Sequence, residues 1–198
     1  MAPILDENRL EFVSRSPEQT RRLGARLGAL LQGGDVICME GSLGAGKTLL
    51  AQGIGRGWGV SQTLTSPTFV LVREYARPNE AAQPGGPLRS GGLSHSGGLS
   101  HSGGPSRSGG LSHLYHVDLY RISGAEEAWG LGVDEFLGDA YAICIVEWAE
   151  RARELMPPDH LWIKLDFADH TRRALYFTAQ GKRHAELLQE FRRAAFGA

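Results

Sequence analysis

The sequence predicts an α/β fold in which helices cover both faces of a largely parallel central sheet. Segments 35–39 and 142–146 are short, almost continuous apolar runs, which is typical of parallel strands buried on both faces. Helical patterns alternate with these strands along the chain. Segments 161–167 and 173–178 instead alternate apolar and polar residues, and they predict an antiparallel pair added to the parallel centre.

The chain begins with a short strand and a capped helix. Residues 10–14 have a strand pattern, and Ser16 follows as the predicted N-cap of a helix with Pro17 in its first turn. Gln19 completes a capping box with Ser16. Leucines then recur on one helical face, and the glycines at 33–34 predict the end of this helix.

The remaining elements continue the alternation. A helix is predicted after the strand at 35–39, although four glycines between residues 53 and 59 lower its propensity. Segments 68–75 and 114–120 are rich in β-branched and aromatic residues, and we predict neighbouring strands joined by an overgrown loop. Residues 182–196 have the apolar periodicity of a closing amphipathic helix.

Composition limits the classes of protein. The chain has 198 residues, with 21 basic and 22 acidic side chains and a net charge of −1. This balance argues against a dedicated DNA binder, and no apolar run approaches the roughly 20 residues that span a bilayer. The first residues lack the basic stretch of a secretion signal. We therefore expect a single cytoplasmic domain over 1–198, without membrane or DNA partners, in which Cys38 and Cys144 are reduced, buried thiols.

A low-complexity insertion is predicted at 78–113 within this domain. From Ser90 onward, a six-residue unit of Ser, Gly, Leu and His recurs with variants. Such a sequence cannot bury enough apolar surface to offset backbone ordering, so we predict disorder. A stacked solenoid and weak metal binding by its three histidines are the alternatives. Lengthening a loop from ~5 to ~35 residues costs only about 1.7 kcal/mol of closure entropy.

Residues 41–48 match the phosphate-loop pattern of Gly, four residues and Gly-Lys-Thr. Glycines let successive backbone N–H groups point at a β-phosphate, and the following helix offers its positive end to the anion. We expect Lys47 to reach the β and γ oxygens and the Thr48 hydroxyl to ligate Mg²⁺. The motif lies between a predicted buried strand and a predicted helix, as its chemistry requires. The predicted nucleotide-binding residues of the loop are Gly41, Ser42, Leu43, Gly44, Ala45, Gly46, Lys47 and Thr48.

Two acidic residues are candidates for the metal and the reaction. Glu147 ends the buried strand at 142–146, where a carboxylate that holds or orients the Mg²⁺ shell is expected; a surface acid is the alternative. Asp118 faces away from its apolar neighbours in the sequence. It could hold a Mg²⁺-bound water or orient the attacking water, and a salt bridge with Arg121 or another arginine is the alternative.

Other patterns leave the reaction type open. Ser66 and Thr68 flank a proline and could form a switch that senses the γ-phosphate, or a plain turn before a strand. The Asn/Thr-Lys-x-Asp motif that reads guanine is absent, since Lys164 lies in Ile-Lys-Leu-Asp. Besides an ATPase, a P-loop kinase for a small metabolite and a nucleotide-gated assembly subunit with negligible turnover remain possible functions.

Four motifs together resemble the bacterial TsaE (YjeE) family of P-loop ATPases. They are the phosphate loop, Thr-Ser-Pro-Thr-Phe at 65–69, His-Val-Asp-Leu-Tyr-Arg at 116–121, and Val-Glu-Trp at 146–148. The resemblance extends from about residue 10 to about residue 167, with the repeat as an insertion. It implies a P-loop NTPase-type three-layer sandwich, with a mostly parallel central sheet and antiparallel additions.

The resemblance also implies site residues and cofactors. ATP and Mg²⁺ would be bound, with Lys47 and Thr48 in the phosphate and metal roles and Glu147 as the metal-site glutamate. Asp118 matches the acid of the His-x-Asp-x-Tyr-Arg motif, which is considered important for hydrolysis. Trp148 matches an aromatic residue near the nucleotide; packing at a strand end is the alternative. Residues 66–69 match the switch-like segment.

The resemblance also implies that the chain acts with protein partners, as members of this family do. They are weak ATPases alone and dock on the TsaD–TsaB pair, where TsaD transfers threonylcarbamoyl to A37 of tRNAs that read ANN codons. Contact with tRNA would then be indirect. The chain departs from the family pattern at Ser42, where Asp is usual, at Leu49, where a second Thr is frequent, and in its repeat insertion.

Overall fold

A computed structural model describes residues 7–68, 71–77 and 113–197. Within these residues the strands are β1 (Arg9–Ser14), β2 (Val36–Glu40), β3 (Val72–Ala76), β4 (His113–Asp118), β5 (Ala142–Glu147), β6 (His160–Phe167) and β7 (Arg173–Gln180). The helices are α1 (Pro17–Gly28), α2 (Lys47–Trp58), α3 (Ala125–Gly130), α4 (Asp134–Leu137) and α5 (Gly181–Phe196), with a 3-10 segment at Ala149–Leu155.

The strands form one mixed sheet in the order β1-β7-β6-β2-β5-β4-β3. Its centre, β6-β2-β5-β4, is parallel, whereas β7 and β1 extend one side and β3 the other in antiparallel pairing. Helices α1, α2 and α5 cover one face, and α3, α4 and the 3-10 segment cover the other. The predicted three-layer α/β fold is therefore confirmed, including the antiparallel pair of β6 and β7.

The strands on either side of the predicted insertion are neighbours, as expected. β3 and β4 pair in antiparallel register, with Val72 opposite Val117 and Tyr75 opposite Leu114. His113, the last residue of the predicted insertion, begins β4, and its Nδ1 lies 2.5 Å from Oε1 of Glu74. The rest of the predicted insertion, 78–112, lies outside the described residues, as do the predictions made for it.

Helix α1 begins as predicted but ends earlier. Ser16 Oγ accepts a hydrogen bond from Gln19 N at 3.1 Å, and Gln19 Oε1 accepts one from Arg15 N at 2.7 Å. The helix ends at Gly28 rather than at the glycines 33–34. Beyond Gly28 the helical pattern gives way to i→i+3 bonds, from Leu30 N to the Leu27 carbonyl at 3.0 Å and from Leu31 N to the Gly28 carbonyl at 3.3 Å. The Asp35 carboxylate then accepts from Gln32 N at 2.7 Å in the turn that leads to β2.

Strand alternation positions the polar residues of the sheet. On β4 and β5 the residues that face α1 and α2 include Leu114, Ile143 and Ile145, so the same face carries Asp118 and Glu147 at the strand ends. The core therefore brings both predicted acids to the carboxyl edge of the parallel strands. No helix among the described residues is long and apolar enough to cross a membrane.

Both cysteines are free and buried in the structure, as expected. They lie on neighbouring strands, Cys38 on β2 and Cys144 on β5. Burial raises the pKa of Cys38, with a further contribution from Cys144, and burial raises the pKa of Cys144 to about 12. The thiols are therefore protonated at neutral pH, which makes them core residues without nucleophilic character.

Candidate nucleotide site

A cleft of about 280 Å³ opens where β2, β4 and β5 end and α2 begins. In parallel α/β sheets, ligands bind outside the carboxyl ends of the strands, so the cleft is the expected place for a site. Its lining contains most of the predicted site residues. The lining residues are Leu43, Gly44, Gly46, Lys47, Thr48, Leu49, Ser66, Thr68, Asp118, Tyr120, Glu147 and Trp148.

The phosphate loop turns directly from β2 into α2. Gly41, Gly44 and Gly46 have φ angles of 143°, 78° and 105°, which L side chains rarely adopt. A Cβ on Gly41 would also lie 2.3 Å from the carbonyl oxygen of Leu165 on β6. The glycines of the motif are therefore required by backbone conformation and, at Gly41, by close packing. Of the other loop residues, Ala45 is buried in the core, whereas Ser42 and Leu43 lie nearer the surface.

Lys47 is buried at the base of the loop, although its side chain is a cation. Its ammonium donates to the carbonyl oxygens of Gly41 and Ser42, at 3.1 Å for Ser42, and lies 3.6 Å from the ring centroid of Trp148. Burial lowers the pKa of Lys47, and the negative charges of Glu147, Glu150 and Asp118 partly oppose that shift. The loop thus holds a partly desolvated cation, which a bound phosphate can neutralise.

Thr48 and Glu147 meet at the floor of the cleft. The Thr48 hydroxyl donates to Oε2 of Glu147 at 2.8 Å, which joins the first turn of α2 to the end of β5. The other carboxylate oxygen, Oε1, lies 2.8 Å from Nε2 of His116 on β4. Glu147 is almost fully buried, so the alternative of a surface acid is excluded. Two oxygens of the predicted metal site are therefore adjacent in the structure.

Asp118 lies beside Glu147 and binds the predicted switch segment. The two residues are register partners on β4 and β5. Oδ2 of Asp118 accepts from the hydroxyls of Ser66 and Thr68 at 2.5 and 2.7 Å, and Oδ1 accepts from Tyr120 N at 2.9 Å. Residues 66–68 are therefore tied to the site rather than forming an isolated turn.

Trp148 lies at the cleft wall directly after Glu147. It has a φ of 60°, rare for a bulky residue, and its ring packs against that of Tyr120 in a tilted arrangement, with centroids 5.0 Å apart. The Arg151 guanidinium lies 5.6 Å from the Trp148 ring and 5.7 Å from that of Tyr120. Trp148 thus packs at a strand end and also lines the cleft.

The structure adds residues that the sequence did not assign to the site. His116 contacts Glu147, and Tyr120 lines the cleft. The position of His116 two residues before Asp118 on one strand was a usable signal for a shared face. Glu150 is half-buried near Lys47, and burial raises its pKa despite hydrogen bonds from backbone groups, including that of Gly41. Nothing in the sequence around Glu150 indicated this contact.

Comparison with known proteins agrees with this geometry. The family model described as "Threonylcarbamoyl adenosine biosynthesis protein TsaE" matches residues 14–84 and 105–175. A crystal structure of YdiB from Bacillus subtilis superposes with a TM-score of 0.61 at 28% sequence identity, over 93% of this chain and 95% of that one.

Two curated relatives carry the same name, tRNA threonylcarbamoyladenosine biosynthesis protein TsaE. The one from Bacillus subtilis is 30% identical over 93% of this chain and 94% of its own length. The one from Streptomyces coelicolor is 36% identical over 83% of this chain and 86% of its own. Motifs, fold and full-length similarity therefore agree that the chain belongs to the TsaE family of tRNA threonylcarbamoyladenosine biosynthesis proteins.

Proposed function

We propose that this chain is a Mg²⁺-dependent ATPase that acts on the TsaD–TsaB complex during threonylcarbamoylation of A37 in tRNAs reading ANN codons. The observation that carries the proposal is the contact between the Thr48 hydroxyl and the Glu147 carboxylate, beside the Lys47 ammonium, in the cleft. Contact with tRNA would be indirect, through the complex, since a net charge of −1 does not favour a strong independent tRNA site.

The donor set fits Mg²⁺. Both contributing atoms are hard oxygen ligands, and neighbouring ligands of an octahedral ion at 2.0–2.1 Å lie about 2.9 Å apart. Thr48 Oγ1 and Glu147 Oε2 are 2.8 Å apart, so they can occupy adjacent positions, directly or through water. When bound, the ion would neutralise charge on the β and γ phosphoryl oxygens.

Lys47 would provide the second cationic contribution. Its ammonium now rests on two loop carbonyls and on the Trp148 ring, all within reach of the loop where a β-phosphate is expected. Exchange of these neutral partners for phosphate oxygens would pair the ammonium with an opposite charge. Catalysis would then rest on positioning and on charge stabilisation by groups already in place.

Asp118 is the candidate for orienting the attacking water. It is one strand away from Glu147 and lines the same cleft. Its Oδ2 is occupied by the hydroxyls of Ser66 and Thr68, so movement of the 66–68 segment is needed before that oxygen can accept from water. We therefore expect slow hydrolysis by the chain alone and stimulation by a partner that moves the segment.

The test is ATP hydrolysis by the purified chain, alone and with TsaD and TsaB. We expect stimulation by the partners, and we expect Lys47→Ala and Glu147→Ala each to lower the stimulated rate by about 10²–10³-fold. Lys182→Ala is the matched control, because Lys182 is 91% exposed on α5 and should leave the rate unchanged.

The other outcomes identify the competing functions. Tight nucleotide binding with no partner-dependent phosphate release would favour a nucleotide-gated assembly subunit. Phosphate that appears on an acceptor molecule, rather than in solution, would favour a small-metabolite kinase. A stimulated rate that survives both substitutions would place the reaction outside this cleft.

A further inference from the structure

His116 lies entirely within the protein, directly behind the predicted metal site. Its side chain has no exposed surface, and that of Glu147 is only 3% exposed. His116 Nε2 lies 2.8 Å from Oε1 of Glu147, whose other oxygen accepts from Thr48. A line of hydrogen bonds therefore runs from β4 through the carboxylate to the first turn of α2.

We infer that His116 is a positioning residue, which fixes the Glu147 carboxylate so that Oε2 faces the Mg²⁺-nucleotide. This inference rests on the proposed function, since it assigns His116 a role toward the same ion. A carboxylate is an acceptor only, so Nε2 must carry the proton of this bond. With Oε1 engaged by His116, the carboxylate cannot rotate freely, and Oε2 is presented to the cleft.

A role in packing alone does not explain a histidine here. The same face of β4 and β5 carries apolar residues at Leu114 and at Ile145, the register partner of His116. Nδ1 of His116 is buried and has no hydrogen-bond partner among the described residues, which is a cost that an apolar side chain would avoid. Its side-chain bond to Glu147 therefore explains a histidine at this position.

The experiment measures the Mg²⁺ concentration needed for nucleotide binding. Binding of ADP with a methylanthraniloyl label is followed as Mg²⁺ is added, and again in EDTA. Groups that hydrogen-bond a metal ligand typically contribute 10–100-fold to metal affinity, so His116→Leu should raise the Mg²⁺ midpoint by about that factor. Affinity for the label in EDTA should stay within about twofold, since His116 touches no predicted phosphate contact.

Conservative variants separate positioning from packing. A Gln amide reaches the depth of Nε2, so His116→Gln should restore the Mg²⁺ midpoint to within about threefold of the unsubstituted protein. An Asn amide ends at the depth of Nδ1, so His116→Asn should behave like His116→Leu while remaining polar. His116→Asn also tests the inference if the leucine variant does not fold, which thermal unfolding without Mg²⁺ will show.

A double-mutant cycle completes the test. In a Glu147→Gln background, His116→Leu should change the Mg²⁺ midpoint by less than about twofold, because the group that it positions is already altered. An unchanged midpoint in His116→Leu, or an equal shift in both backgrounds, would overturn the inference and leave the proposed function intact. If binding by the unsubstituted protein does not respond to Mg²⁺ at all, the proposed function fails as well.

Discussion

Two histidine–carboxylate pairs, each with a buried histidine, lie at opposite ends of the parallel centre of the sheet. At the carboxyl end, His116 bonds Glu147 beside the cleft. At the amino end, where β2 begins, His184 of α5 places Nδ1 2.5 Å from Asp159 and accepts from Val36 N through Nε2 at 3.3 Å. The chemistry of the two pairs is similar, but their surroundings differ.

Asp35 lies beside the amino-end pair, with its Oδ1 3.8 Å from Nε2 of His184, and it has several partners of its own. The Asp35 carboxylate receives both Nε and Nη2 of Arg183, at 3.0 and 2.8 Å, together with Gln32 N at 2.7 Å. At the cleft, by contrast, Nδ1 of His116 has no partner among the described residues. The cluster of Asp35, Arg183 and His184 ties α5 to the sheet, whereas Glu147 of the cleft-end pair lines the cleft where a ligand is expected. Substitutions at the two ends should therefore separate stability from activity.

The largest effect is expected from Glu147→Gln. This nearly isosteric change weakens a metal ligand without leaving a cavity, so partner-stimulated hydrolysis should fall by about 10²–10³-fold. The free energy of unfolding should not decrease, because a buried carboxylate is replaced by a neutral amide. Hydrolysis assays and urea unfolding measure the two effects. A fall of more than about 2 kcal/mol in the free energy of unfolding would show that the Glu147 carboxylate also stabilises the fold.

Arg183→Leu should have the opposite pattern. It leaves Asp35, which is 2% exposed, without its charged partner, and we expect a loss of about 2–3 kcal/mol in urea unfolding. Labelled-nucleotide binding at 25 °C should be unchanged, because the cluster is remote from the cleft. The control is Arg172→Leu, which breaks an exposed pair with Asp169 and should leave the free energy of unfolding nearly unchanged. If Arg183→Leu and Arg172→Leu lower the free energy of unfolding equally, the buried pair of Arg183 and Asp35 stabilises the fold no more than an exposed pair does.

Gly181→Ala should perturb the amino end more mildly. Gly181 has a φ of 76°, and a Cβ there would lie 2.2 Å from Cγ of Asp159. The left-handed backbone alone costs about 1–2 kcal/mol for a residue with a Cβ, and Asp159 must also shift. Gly130→Ala is the matched control, since a Cβ built there would meet no atom within 4 Å beyond its chain neighbours and its own helix backbone. Similar unfolding midpoints for the two variants would show that the Asp159 contact tolerates displacement.

The carboxyl-end site could be predicted because its signals are local in sequence. The phosphate loop is contiguous, and Glu147 directly follows a strand that is apolar throughout. The bond from His116 to Glu147 could not be predicted, because it depends on the parallel register that places His116 opposite Ile145. A single sequence carries no direct information on which residues of two strands become neighbours.

The glycines of α2 likewise have a role that depends on a neighbouring element and that the sequence alone does not show. The sequence predicts that they weaken the helix through low propensity. In the structure, a Cβ on Gly53 would lie 2.3 Å from the carbonyl oxygen of Arg21, and one on Gly57 would lie 1.9 Å from that of Ala25. The glycines therefore let α1 and α2 approach closely, which offsets the propensity cost. The gain depends on a partner helix that periodicity within α2 cannot reveal.

The smallest predicted effect is a pH dependence of the folding stability that comes from Asp159 at the amino end. Burial raises the pKa of Asp159, but hydrogen bonds from the side chain and backbone of His184 and from the backbone of Arg183 outweigh it, so the net pKa lies below the ordinary 3.8. A depressed carboxyl pKa stabilises the folded state above the unfolded-state value, and this contribution is lost as pH falls through the folded-state value.

The Asp159→Asn variant tests whether this stabilising contribution is lost as pH falls. Its difference in unfolding free energy from the unsubstituted protein should be constant from pH 7 to about pH 5 and should shrink below about pH 4. The side chain of Asp159 is 43% exposed, so solvent screening should keep the difference below about 1 kcal/mol. Urea unfolding across this range measures it, with nucleotide affinity expected to be equal in both proteins at pH 7. A difference that persists unchanged to pH 3 would mean that His184 stabilises the protonated and ionised carboxyl alike, and the amino-end pair would then act through packing rather than charge.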